Sequence, residues 1–147
     1  MKDDSLFEAV HTVFDWYDGP RCGIANYKGS PHLFQSELAD AVDPNTDTFL
    51  LAPLDADTFA LALEDRAIWR RWETAYWQGR ATQDTHSALP DDRPRHAKLQ
   101  ELLNGRLRVE VNDAVRASAE FRICDDPSWA GFGWRPLEVR WSELAGG

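Results

Sequence analysis

Asp65 is the residue of this sequence whose placement points most directly to chemistry. It lies one helical turn from Leu61 and from Trp69, and on the same side as Ile68 and Trp72. A carboxylate inside an apolar, Trp-rich arc must find a hydrogen-bonding partner or take up a proton. Walled in this way, it suits general acid or base work. Held by an Arg, a Trp N–H or the backbone, it is a structural anchor. The anchor reading ranks first, because structural networks also hold buried carboxylates.

A second constellation occupies Val13 to Gln35. Tyr17, Arg21, Tyr27 and His32 stand at the ends of short strand-like runs separated by turn signals. Arg presents a planar fork that matches a carboxylate or phosphate, so these four side chains suit the mouth of a groove for an anion or polar ligand. His32 is also a weak catalytic candidate beside Asp65. The plainer alternatives are turn stabilisation for Arg21, through Asp18 or Asp65, and a satisfied sheet histidine for His32.

The third is the run Trp129-Ala130-Gly131-Phe132-Gly133-Trp134. Trp129 and Trp134 on a glycine-rich loop are costly to expose unless they fold back or meet a partner. They read equally as anchors of a binding surface and as a plug closing a small core.

Stronger motifs are absent from the sequence. It has no phosphate-binding glycine loop, nucleophile elbow, Cys-x-x-Cys pair or His-Glu-x-x-His. His11, His32, His86 and His96 are scattered without metal-ligand spacing, and the Asp40 to Asp47 run lacks the Gly and closing Glu of a calcium loop. The expectation is therefore no metal and no cofactor. Cys22 and Cys124 are far apart in sequence and read as reduced, buried or half-buried thiols.

The elements that position these residues follow from periodicity. Val10 to Tyr17 alternates as a strand after a possible helical turn near Leu6 to Ala9, and Asp18-Gly19-Pro20 breaks it. Cys22–Tyr27 and His32–Leu38 complete a meander across a Lys28-Gly29-Ser30 turn, and Thr48–Ala52 is a fourth strand. Phe59 to Trp77 predicts the main helix, with Gly79 where a left-handed cap belongs. Leu61, Ala62, Ile68, Trp69, Trp72, Ala75 and Tyr76 share one arc of it, suited to covering a sheet.

A second helix spans about Asp92 to Asn104, with Pro94 in its first turn and Gly105 past its end. Leu107 to Val111 predicts a short strand. Val115 to Ile123 alternates cleanly, and Leu137 to Trp141 pairs back on it. The fold class expected is α+β: one antiparallel sheet of five or six strands, flat or curled, with two helices packed on one face. Residues 1–147 read as a single domain.

A net charge of −9 counts against nucleic acid as the main partner, since binding a phosphate backbone needs a basic stripe. Arg66, Arg70 and Arg71 form the best local basic patch, but beside Glu64 and Glu73 they read as a solvated helix face. No stretch approaches the ~20 apolar residues of a membrane span. The start lacks the apolar run of a signal peptide, which favours a cytoplasmic protein.

Tyr17-Asp18-Gly19-Pro20-Arg21, then Gly23-Ile24-Ala25, Tyr27, Gly29, Pro31 and His32, resembles a pattern in small uncharacterised bacterial proteins. The similarity covers mainly the first third of the chain and extends towards Ala67 to Glu73. It implies a bacterial cytoplasmic origin and assigns no activity to any residue.

Three functions remain open, in this order. The first is a non-enzymatic binding or interaction module, with a protein or small-molecule partner in an aromatic groove between the meander and the Trp129 to Trp134 loop. The second is a small hydrolase or lyase with Asp65 as acid or base and Arg21 or His32 orienting an anionic substrate. The third is a structural subunit of a homo-oligomer. Nothing in the sequence fixes the oligomeric state.

Overall fold

The structure, a computed structural model, describes residues 7–16, 20–37, 48–85, 88–124 and 136–144. These gather into two compact units. One is built by strands from both ends of the sequence, and the other, helical, includes Ala56–Leu107 between them in chain order.

The first unit is a closed barrel of six antiparallel strands in the order β1-β2-β3-β4-β5-β6. The strands are β1 (Glu8–Trp16), β2 (Pro20–Tyr27), β3 (Ser30–Ser36), β4 (Thr48–Pro53), β5 (Val115–Ile123) and β6 (Leu137–Glu143). The expected antiparallel pairing and α+β content are present, but the open, curled sheet is not. β1 pairs with β6 through Glu8↔Val139 and Ala9↔Glu138, which joins the two edges. Closure removes the unpaired edge groups that an open sheet would expose. The helical turn expected near Leu6 to Ala9 is overridden at Glu8 and Ala9, whose backbone groups are used in this ladder.

Two local devices curl the sheet. β1 carries register shifts between Val10 and Thr12 and again from Val13 to Trp16, and such bulges bend and twist a strand. Gly23 of β2 faces that bulged segment. A Cβ built on Gly23 would lie 2.2 Å from the Thr12 carbonyl oxygen and 2.9 Å from Phe34 Cζ, so only hydrogen fits. The β2–β3 connection is a two-residue turn in which Lys28 has φ 53° and Gly29 has φ 82°. Positive φ at both positions is the turn whose twist matches a hairpin.

The barrel core is made of strand side chains. Ala25, Tyr27, Phe34, Phe49, Leu51, Ala117 and Val139 are buried together, with Val115, Ala119, Phe121 and Trp141 packed against them. Phe34, Phe49, Phe121 and Trp141 contact one another in every pairing, at centroid distances from 5.7 to 6.0 Å. Small residues opposite large rings let a narrow barrel fill its interior. Ile24, Leu33 and Leu50 alternate with these positions and are also buried, so β2, β3 and β4 bury residues on both faces. That explains the unbroken Phe49-Leu50-Leu51 run.

Outside, β5 and β6 oppose Glu120 to Arg140 and Arg122 to Glu138 in register, and both pairs form ion pairs. Arg122 and Arg140 also approach the Phe7 ring, at 3.6 and 5.1 Å from its centroid. These cation–π contacts fasten the residue preceding β1 to the outer face of β5 and β6.

The helical unit contains α1 (Ala56–Trp77) and α2 (Arg93–Leu103). Gly79 and Gly105 take φ of 78° and 79° just past the two helices, as their positions in the sequence predict. Ile68 of α1, Leu99 of α2 and Ala88 are buried together with Leu61 beside them. Asp92 occupies the N-cap of α2 without capping it; its carboxylate instead accepts two hydrogen bonds of 2.9 Å from Arg71 of α1. The connection between the helices includes short 3-10 turns at Gln83–Thr85 and Pro90–Asp92. The strand expected over Leu107 to Val111 does not form; that segment leads into a 3-10 turn at Val111–Asp113. Cys22 and Cys124 are half-buried and are not joined in a disulfide.

Candidate functional site

Tyr27 and His32, two of the residues singled out in the sequence, meet at one mouth of the barrel. Their rings stand edge to face at 5.1 Å, on either side of the Lys28–Gly29 turn. His32 Nδ1 donates to the Ser30 carbonyl at 2.9 Å, which fixes the ring and leaves Nε2 as its acceptor. The Tyr27 hydroxyl donates to Glu143 of β6, and Lys28 Nζ lies 3.0 Å from the same carboxylate oxygen.

The electrostatics of this mouth follow from the shared carboxylate. Burial, reinforced by Glu143, pushes the Tyr27 phenol above its ordinary value, so at neutral pH it is a donor and not a base. Hydrogen bonds from Tyr27 and then Lys28 hold Glu143 below the usual carboxylate range. The hydrogen bond to Glu143 raises Lys28.

A second carboxylate secures the turn itself. Glu8 Oε2 accepts from the Lys28 amide at 3.0 Å, and Oε1 accepts from the Gly29 amide at 2.7 Å. Successive amides in a turn make a small anion-binding concavity, and here β1 supplies the anion. Behind it, Asn26 accepts from Trp141 Nε1 at its carbonyl and from His11 Nε2 at its side chain, each at 2.9 Å.

Of the other proposed members of that groove, Arg21 does not join them. Arg21 lies near the opposite end of β2, about 20 Å from Tyr27 at the rise of a strand. Tyr17, Trp129 and Trp134 lie outside the described residues.

Asp65 is placed on the seam between α1 and α2. His96 Nδ1 is 2.7 Å from its Oδ1, and Gln100 Nε2 donates to its Oδ2 at 3.1 Å. His96 and Gln100 are one turn apart on α2, so one carboxylate bridges two of its turns. Glu64, the neighbouring residue, accepts a bidentate pair from Arg95 at 2.5 and 2.7 Å. Arg95 holds Glu64 below its ordinary value.

The basic patch of α1 does not form a uniform solvated face. Arg71 pairs with Asp92, Arg70 pairs with Glu73, and Glu73 is only 3% exposed. Arg66 instead lays its guanidinium 4.8 Å over the Trp69 ring.

At the end of α1 an aromatic ladder leads outwards. The buried Trp72 ring stacks on Tyr76 at 5.1 Å and 18°, and Tyr76 meets Trp77 edge-on at 5.5 Å. The Tyr76 hydroxyl accepts from Gln83 at 3.2 Å. Trp77 is nevertheless 60% exposed, the most exposed of the large apolar side chains among the described residues. Sequence reasoning placed Trp77 only as the end of a helix. Its spacing from Arg66, Arg70 and Glu73, at i+11, i+7 and i+4, was the available signal that they share a face.

Among the described residues no group of three or more His, Cys, Asp or Glu side chains is arranged to hold a metal ion. No helix among them is long and apolar enough to cross a membrane. Comparison with protein-family models, curated proteins and solved structures finds no match.

Proposed function

We propose that this protein is a non-enzymatic binding module that presents a preorganised aromatic surface to a protein partner. The observation that carries the reading is Trp77, 60% exposed yet braced by Tyr76, which is itself stacked on buried Trp72. An exposed indole held in one orientation loses little conformational entropy on association, and Trp is enriched among binding hot spots. Trp77→Ala tests it. Purified variant and wild type, each with a photo-crosslinker placed beside the ladder, are compared in extracts of the host. The variant is expected to retain the wild-type melting temperature within a few degrees and lose at least tenfold of partner crosslinking. Equal crosslinking by both proteins overturns the reading.

A second reading, an acid–base enzyme of hydrolase or lyase type, draws on the Asp65–His96 pair. A carboxylate on Nδ1 orients an imidazole and leaves Nε2 to exchange the proton, so the reactive role passes from Asp65 to His96. A hydrolytic activity that survives His96→Gln removes it.

A further inference from the structure

The barrel closes through its shortest ladder. Among the described residues β1 and β6 meet only at Glu8↔Val139 and Ala9↔Glu138, whereas β5 and β6 pair continuously from Ala117↔Glu143 to Ile123↔Leu137. Side chains converge where the backbone pairing is short. The tip of the β2–β3 hairpin, Asn26 to Gly29, is gripped from both sides of this seam. From β1, the Glu8 carboxylate takes the Lys28 and Gly29 amides, and His11 Nε2 meets the Asn26 side chain. From β6, Glu143 accepts from the Tyr27 hydroxyl and lies 3.0 Å from Lys28 Nζ, while Trp141 Nε1 donates to the Asn26 carbonyl. Glu8 belongs to the closing ladder itself, so its backbone and its side chain act on the same seam.

We propose that the Asn26 to Gly29 tip is a latch that holds the β1–β6 seam shut, and that the barrel opens first at this seam when the latch lets go. Hydrogen bonds to an ionised carboxylate are stronger than neutral ones, so Glu8 and Glu143 supply much of the grip. The turn can serve both strands because positive φ at Lys28 and Gly29 aims successive amides at one carboxylate. Once released, β1 keeps its ladder to β2 and β6 keeps its ladder to β5, so the two edges part without unravelling the sheet. Opening uncovers one backbone edge on each strand, the groups that closure had satisfied. The latch does not rest on the binding reading at Trp77.

Amide hydrogen exchange of the full 15N-labelled chain, followed by NMR under native conditions, tests the latch. Glu8→Gln and Glu143→Gln are isosteric, and each removes the charge from one grip. In each variant the amides bonded between β1 and β6, at Glu8–Ala9 and Glu138–Val139, are expected to exchange about tenfold faster than in wild type. Those between β3 and β4, around Phe34 and Leu51, should hardly change. Either variant suffices if the other does not fold. Glu37→Gln is the control: it disrupts the bidentate pair with Arg116, which joins β5 to the end of β3, and should leave the seam unchanged. Equal acceleration in every ladder would show that the carboxylates add only general stability, and it overturns the proposal. Unchanged seam exchange in the Glu8 and Glu143 variants overturns it too, as does an acceleration by Glu37→Gln that matches theirs.

Discussion

Asp65 Oδ1 lies 2.7 Å from His96 Nδ1, so a carboxylate on α1 and an imidazole one turn away from Gln100 on α2 form an interhelical clamp. The carboxylate has a polar partner on each oxygen, His96 on Oδ1 and Gln100 on Oδ2. Its surroundings explain how a charged side chain persists within the apolar arc of α1.

Asp65→Ala is expected to destabilise the helical unit by about 1 kcal/mol, near the lower end for removing a shared acceptor, because both partners retain some access to water. Asp65→Asn keeps one acceptor oxygen and should cost less. Urea unfolding followed by far-ultraviolet circular dichroism measures both. An Asp65→Ala protein as stable as wild type would show that the clamp is not structural and would strengthen the acid–base reading.

The two glycines of the β2–β3 hairpin should respond differently to the same change. Gly23→Ala drives a methyl into the Thr12 carbonyl and the Phe34 ring, and neither backbone nor core can yield cheaply. The expected loss is about 3 kcal/mol. Gly29→Ala meets open space and strains only a φ of 82°, so about 1 kcal/mol is expected. Thermal denaturation of the two variants checks the order, and equal losses would contradict the close approach of β1 at Gly23.

The barrel mouth should impose a pH dependence at both ends of the scale. Glu143 is lowered in the folded state, so its contribution is complete above the ordinary Glu range and is lost as pH falls through the folded value. Lys28 and Tyr27 are raised, so theirs are complete below about 10, the ordinary Tyr value, and are lost as pH rises through the folded values. In Glu143→Gln the Tyr27 phenol should ionise at lower pH than in wild type, because the carboxylate that raises it is gone while Lys28, which lowers it, remains. Absorbance at 295 nm during alkaline titration reads the change. An unchanged Tyr27 titration would remove Glu143 from its environment.

Much of this architecture was legible along the chain. Strict alternation from Val115 to Ile123 placed Ala117, Ala119 and Phe121 on one face, and those residues do line the barrel core. Gly79 and Gly105 marked the helix ends because left-handed backbone is cheapest for glycine. Closure was not legible, since it depends on a ladder between Glu8–Ala9 and Glu138–Val139, pairings that no local pattern specifies. Arg21 and Tyr27 looked like neighbours in one short segment, yet a strand of eight residues holds them towards opposite ends.

The sequence by itself determined the α+β content, the apolar faces and the turn chemistry, because dihedral preference and hydrophobic period are local properties. Tertiary structure alone decided that β1 meets β6, that Asp65 meets His96, and that Arg66 rests on Trp69 while Arg70 takes Glu73. The physical reason is that a polar side chain's role depends on which donors and acceptors surround it after burial, and several candidate partners along a chain satisfy the same local pattern equally well.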